Sequence, residues 1–193
     1  KRLNLVFSDD EGDEVQSTLD ERDRSSGFGL LYRVSEGDQS RFDLTMGINW
    51  NRVRPGARYR YQGALSDVST YRFTQRLQYD NQNGAFATSQ LELNRVLGPN
   101  TLLRLNNRAV YGEETNGTEW TSRLSLFQRH KTVNRRRQLG ISYFGAVNGY
   151  TDPDYVKNYQ LGVLFRRQVY RKYLFLELEP AYNYRKENED AKR

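Results

Sequence analysis

Cysteine is absent from the 193 residues, which excludes a disulfide scaffold, a thiol nucleophile and any cysteine-held metal site. The single histidine, His130, leaves no His-pair metal centre and gives a histidine-based catalytic triad little to build on. Long apolar runs are missing too. Only 36% of residues are hydrophobic, and nothing approaches the ~20 consecutive apolar residues of a membrane-crossing helix. What the chain has instead is 14 Tyr, 9 Phe and 2 Trp, with 30 Lys and Arg against 24 Asp and Glu, a net charge of +6. It is at once too polar for an ordinary buried core and unusually rich in the aromatic residues that strands favour.

The period of the sequence resolves that conflict. From Gly27 onward apolar residues recur every second position, the signature of strands with two unlike faces. Between Arg41 and Asn51, Phe42, Leu44, Met46, Ile48 and Trp50 share one face, and Arg41, Asp43, Thr45 and Asn49 the other. Equivalent segments centre on Tyr59–Leu65, Tyr71–Tyr79, Leu91–Leu93, Leu103–Tyr111, Trp120–Leu126, Leu139–Val147, Tyr159–Phe165 and Leu174–Tyr182. Gly27–Ser35 and Leu3–Phe7 bring the count to eleven. The fit has exceptions: Gln75, Asn107 and Ser122 fall on apolar faces, and Phe127 and Phe175 on polar ones.

Most segments are long beside the ~5–6 residues usual in soluble sheets, and match the ~9–11 that a tilted membrane strand needs. Connections alternate. Ser35–Gln39, Ser66–Ser69, Leu97–Thr101, Lys131–Arg136 and Val169–Lys172 are mostly short. Ser8–Ser26, Arg52–Gly56, Asn81–Ala85, Gly112–Thr118, Gly149–Lys157 and the tail from Glu187 are longer or more polar. The Ser8–Ser26 stretch holds eight acids and two bases up to Arg24, so the remainder of the chain carries +12. It reads as an acidic surface loop.

Short turns at one end and longer loops at the other describe an all-β, antiparallel up-and-down transmembrane β-barrel. The expectation is a single domain over residues 1–193. Even strand counts in bacterial barrels lead from eleven visible segments to about twelve strands, with the C-terminal closing strand absent and ten as the fallback. With apolar faces toward lipid, the interior is lined by Arg41, Arg58, Arg60, Arg72, Arg76, Arg104, Arg108, Arg123 and Arg166, with Asp43, Asp80, Glu92, Glu177 and Glu179. An aromatic girdle near the long-loop end is expected from Trp50, Tyr59, Tyr79, Tyr111, Trp120, Tyr159, Tyr182 and Tyr184. A soluble barrel or sandwich with the apolar face inside explains the alternation equally well, and the strand lengths less well.

Four strings carry a resemblance: Asn100–Arg104, Glu119–Leu126, Tyr159–Gln168 and Tyr173–Pro180. Over about Ser66 to Tyr184 the chain resembles a group of Gram-negative outer-membrane β-barrel proteins, mostly uncharacterised. That resemblance implies a location, the bacterial outer membrane, and a fold. It also implies a further stretch before the barrel and a final strand after it.

Function follows less directly. A non-enzymatic anchor or partner-binding scaffold of the envelope is the first expectation, with membrane lipid, lipopolysaccharide and an envelope protein as partners. The alternative is a narrow anion-preferring channel, since an arginine-rich lumen selects ions of opposite sign. A lipid-modifying enzyme ranks third, because His130 stands alone and no Gly-x-Ser-x-Gly occurs. Asp152-Pro153-Asp154 and the Asp9–Glu14 run lack the oxygen-ligand spacing of a calcium loop, so neither metal nor cofactor is expected. Lys131, Arg135–Arg137, Arg167, Arg171 and Lys172 gather at the short-turn end, where phospholipid headgroups or a periplasmic partner would meet them. Nucleic acid is not an expected partner, because the bases are spread over many strands.

Overall fold

The structure, a computed structural model, describes residues 2–7, 28–49, 52–81, 84–113, 117–131, 138–152, 154–170 and 174–185. The acidic Ser8–Ser26 stretch, Trp50, Pro153, Arg135–Arg137, Arg171, Lys172 and the tail from Glu187 lie outside them. Every regular element among the described residues is a strand. In order they are β1 (Arg2–Phe7), β2 (Phe28–Glu36), β3 (Ser40–Asn49), β4 (Arg52–Ser66), β5 (Ser69–Asp80) and β6 (Gly84–Gly98). Then follow β7 (Thr101–Gly112), β8 (Thr118–Lys131), β9 (Gln138–Thr151), β10 (Asp154–Tyr170), β11 (Leu174–Leu178) and β12 (Ala181–Arg185).

Each strand pairs antiparallel with its sequence neighbour from β1 to β11, the up-and-down order. β11 and β12 both lie along β10, Leu178 opposite Phe165 and Ala181 opposite Gly162. They are one strand interrupted at Glu179-Pro180, where proline has no N–H to give the ladder. Eleven strand positions therefore correspond to the eleven alternating segments. The strands outrun their expected bounds: β4 and β6 have 15 residues and β10 has 17. Arg52–Gly56 is strand, with Pro55 opposite Met46, rather than a connection. The expected longer loop over Gly149–Lys157 is likewise mostly ladder, since Thr151 pairs Asp154 and Tyr150 pairs Tyr155. Gly84 and Gly117, at strand-joining turns, take φ values of 71° and 80°, a region closed to most side chains.

The polarity of the sheet is inverted relative to a soluble protein. Asp43 and Asp80 are 0% and 1% exposed, while Leu44 is 44%, Leu161 66% and Tyr182 70% exposed. Leu124 and Leu176 are also exposed and Leu105 half-buried; the side chain of Ile48 is not described. Among the described residues no other layer covers the polar face, so its burial there comes from curvature that turns its own side chains toward one another. Arg123 on β8 meets Glu179, beyond β11, at 3.6 Å, although β9 and β10 lie between. On a flat sheet those strands would stand ~14 Å apart. The architecture is an all-β, antiparallel, up-and-down open barrel with a charged concave face and an apolar convex one.

Candidate functional site: the charged concave face

Successive residues point to opposite faces, so the ladder registers state which side chains share the concave surface. One row runs Arg33, Asp43, Arg58, Arg76, Thr88. The next holds Arg41, Arg60, Thr74, Gln90, Arg108, Thr121. A third holds Gln62, Arg72, Glu92, Asn106, Arg123 and Ala146. Arg33 and Arg54 join this surface although neither stood among the expected lining residues. Arg54 sat beside Pro55 and Gly56, which read as a break; its spacing of two from Arg52 and of four from Arg58 was the signal that it belonged.

Charge is concentrated on one side. From β2 to β5 seven arginines (33, 41, 54, 58, 60, 72 and 76) face Asp43 and Asp80, with Glu36 at the turn. Asp43 holds three of them: Arg41 Nε at 2.8 Å, Arg58 Nη2 at 3.0 Å and Arg33 Nε at 3.4 Å. A carboxylate with four lone-pair sites can accept all three, which is how so buried an anion stays ionised. Asp80 receives Arg54 Nε at 2.7 Å. Glu92 sits between Arg72 at 3.9 Å and Arg104 at 3.8 Å, and Asn94 links Glu92 to the Arg104 guanidinium through bonds of 2.7 and 2.8 Å. Glu177 and Arg166 are 3.8 Å apart and largely exposed at the turn end.

Strands β9 and β10 carry a different surface. Ser142, Phe144, Ala146, Asn148, Asn158 and Gln160 face inward without charge, and Arg166 follows on the same face toward the short turns. Phe144, 4% exposed, lies under the Arg123 guanidinium at 3.7 Å, and a Cβ at Gly162 would collide with its ring. Arg123, on β8, is thus stacked on the ring and paired to Glu179. Phe127, out of phase in the sequence, packs beneath Arg104 at 5.2 Å. Near the Thr151–Asp154 turn, Tyr150 stacks on Tyr155 with centroids 5.7 Å apart and accepts a hydrogen bond from Lys157 Nζ.

On the convex face the expected girdle residues fall on a line. The row of Tyr111 meets β5 at Leu77, two residues from Tyr79. Trp120 lies two residues further along β8 than Thr118, the partner of Tyr111. The row of Trp120 meets β9 at Gly149, and Tyr159 faces Val147, two residues on. Tyr184 is opposite Tyr159 and Tyr182 opposite Leu161. Tyr59 lies off this line, sharing the Gln75 position of the ladder. A second line, not foreseen, runs through Tyr61, Tyr71, Tyr143 and Phe165 toward the short-turn end. The polar exceptions of this face pair with one another: Ser89 Oγ donates to Gln75 Oε1 at 2.6 Å, and Asn107 stands opposite Ser122.

His130 is exposed at the end of β8. Among the described residues no group of three acidic, histidine or cysteine side chains is placed to hold a metal ion.

These features define the class, a β-barrel-type sheet with a charged interior. No protein-family model matches the chain, and no curated protein matches it. Among solved structures it is similar to a KdgM porin in complex with disordered oligogalacturonate, at 11% identity and a TM-score of 0.47, covering 84% of this chain and 94% of that one.

Proposed function

We propose that the chain is the barrel of a Gram-negative outer-membrane protein and that its concave face lines a narrow, anion-preferring passage. The membrane part rests on the inverted polarity. The exposed Leu, Val and Tyr side chains that dominate the outward face suit hydrocarbon, and Gln75 and Ser89 pair with each other there. The slanted aromatic line adds a quantitative argument. From Tyr79 on β5 to Tyr159 on β10 it drifts six residues over five strands. At ~3.4 Å per residue and ~4.8 Å per strand that is a slant of about 40°. If these rings share one depth, the strands tilt by that angle, within the ~35–45° of outer-membrane barrels. The Tyr61–Phe165 line drifts in the same sense, six residues over six strands, or about 35°. Two parallel aromatic lines framing an apolar band are what a bilayer with two interfaces asks for.

The observation that favours a passage over a plug is the unequal charge between β2 and β5. A side-chain plug needs cations and anions in balance, and seven arginines against Asp43, Asp80, Glu36 and the neighbouring Glu92 leave the cations in excess. The surplus requires water or mobile anions. The test is conductance of the purified protein in planar bilayers. The expected result is steady current carried mainly by anions, with preference lowered several-fold by Arg72→Glu with Arg104→Glu. Absence of current, with an envelope protein recovered reproducibly alongside the barrel, would favour the anchor reading instead.

A further inference from the structure

Arg60 occupies the least compensated position on the concave face. Its ladder partners are Arg41 on β3 and Thr74 on β5. Two residues away on the same face stand Arg58, opposite Arg76, and Gln62, opposite Arg72. The positive charges of Arg58, Arg72 and Arg41 bear on it, opposed by the negative charge of Asp43. Like charges placed opposite on one sheet face destabilise it. The carboxylate nearest in the ladder, Asp43, is already engaged by Arg33, Arg41 and Arg58. Among the described residues no carboxylate lies within ion-pair range of Arg60, and its Nε is closed to solvent with no acceptor. Arg54, Arg104 and Arg123, by contrast, each have an acid within reach.

A cation flanked by cations, with no carboxylate in ion-pair range among the described residues, is half of a binding site, and its terminal nitrogens are the donors left to meet an anion. What is missing is negative charge in a form that accepts from several planar forks at once. Carboxylate and phosphate groups have that form, whereas chloride is a point. We infer that Arg60, with Arg41 and Arg72 beside it and the Thr74 and Gln62 side chains flanking, forms a subsite for compact polyvalent oxyanions, a step that rests on the passage reading. Such an anion stays longer than chloride because it satisfies more than one guanidinium, so it both enters and obstructs.

Two probes separate the chemical sources: pyrophosphate for phosphates and citrate for polycarboxylates. Titration calorimetry on the intact protein in detergent at low salt should show submillimolar binding of at least one. The same anion should block chloride current in bilayers. Arg60→Gln should weaken binding at least ten-fold and lift the block while chloride current persists. Arg60→Lys, which keeps the charge and loses the fork, should fall between, and it carries the test if the glutamine variant does not fold. Binding by neither anion, or equal binding by wild type and both variants, would overturn the subsite. Binding without any chloride current would overturn the passage and leave the subsite standing.

Discussion

The concave faces of β3–β5 and of β9–β10 solve the same problem, burial of a strand's inner side, by opposite means. On β3–β5 long guanidinium side chains gather around Asp43 and Asp80, and what packing there is comes from ion pairs. On β9–β10 small and neutral side chains, Ser142, Ala146, Asn148 and Gln160, leave room for one large ring, Phe144, to fill the space. The first region is held by charge and needs counter-charge; the second is held by shape and needs none. On the proposed reading of a barrel closed at about twelve strands, β4 and β10, six positions apart, would stand opposite each other. On the proposed reading an anion would then pass between a wall that attracts it and a wall that does not retain it.

The largest effect should come from removing the anion at the centre of the charged region. Asp43→Ala leaves the half-buried Arg41 and Arg58 without their common acceptor, while Arg33 keeps Glu36, and removing the buried partner of such ion pairs costs about 3 kcal/mol. Thermal unfolding in detergent, followed by heat-dependent gel migration, should show a pronounced loss, partly restored by added polyvalent anion. A near-neutral outcome would mean that this wall is as independent of counter-charge as its opposite. Phe144→Ala addresses the neutral wall. Truncation of the ring costs about 3 kcal/mol and should raise conductance, with ion preference unchanged. A change of preference instead would erase the distinction between the two regions.

Much of this arrangement was legible in the sequence because a strand's period is two and cannot drift. Leu44, Leu124 and Leu176 could be assigned to one face, and Arg41, Arg58 and Arg60 to the other, from spacing alone. Three things were not legible. Arg54 was hidden behind Pro55 and Gly56, residues that ordinarily end a strand but here lie within β4, facing Met46 and Thr45. Phe144 pointed inward by period but outward by chemistry; its place depends on Gly162, a neighbour across the ladder, and on Arg123 above it. The concentration of charge on β2–β5 follows from register, which pairs Arg41 with Arg60 and Arg58 with Arg76, and no single segment contains that information. The face of each residue is local, whereas the company it keeps is set by the ladder.

The smallest expected effect lies at the margin of the neutral region. Arg123, on β8, places its guanidinium over Phe144 at 3.7 Å and reaches Glu179 at 3.6 Å, so it brings one charge to the margin of the neutral surface. Arg123→Lys keeps the positive charge while replacing a planar cation that stacks with a point charge that does not. The stacking is desolvated, and its loss should cost about 1–2 kcal/mol, read as a modest fall in the unfolding temperature. Ion preference should not move, because the number and sign of charges are conserved and the surplus sits on β2–β5. If this conservative change altered preference as much as Arg72→Glu with Arg104→Glu, selectivity would reside at the narrow join between ring and arginine. The broad wall of guanidiniums would then be scaffolding for that join, and the contrast between the two regions would be one of support rather than of chemistry.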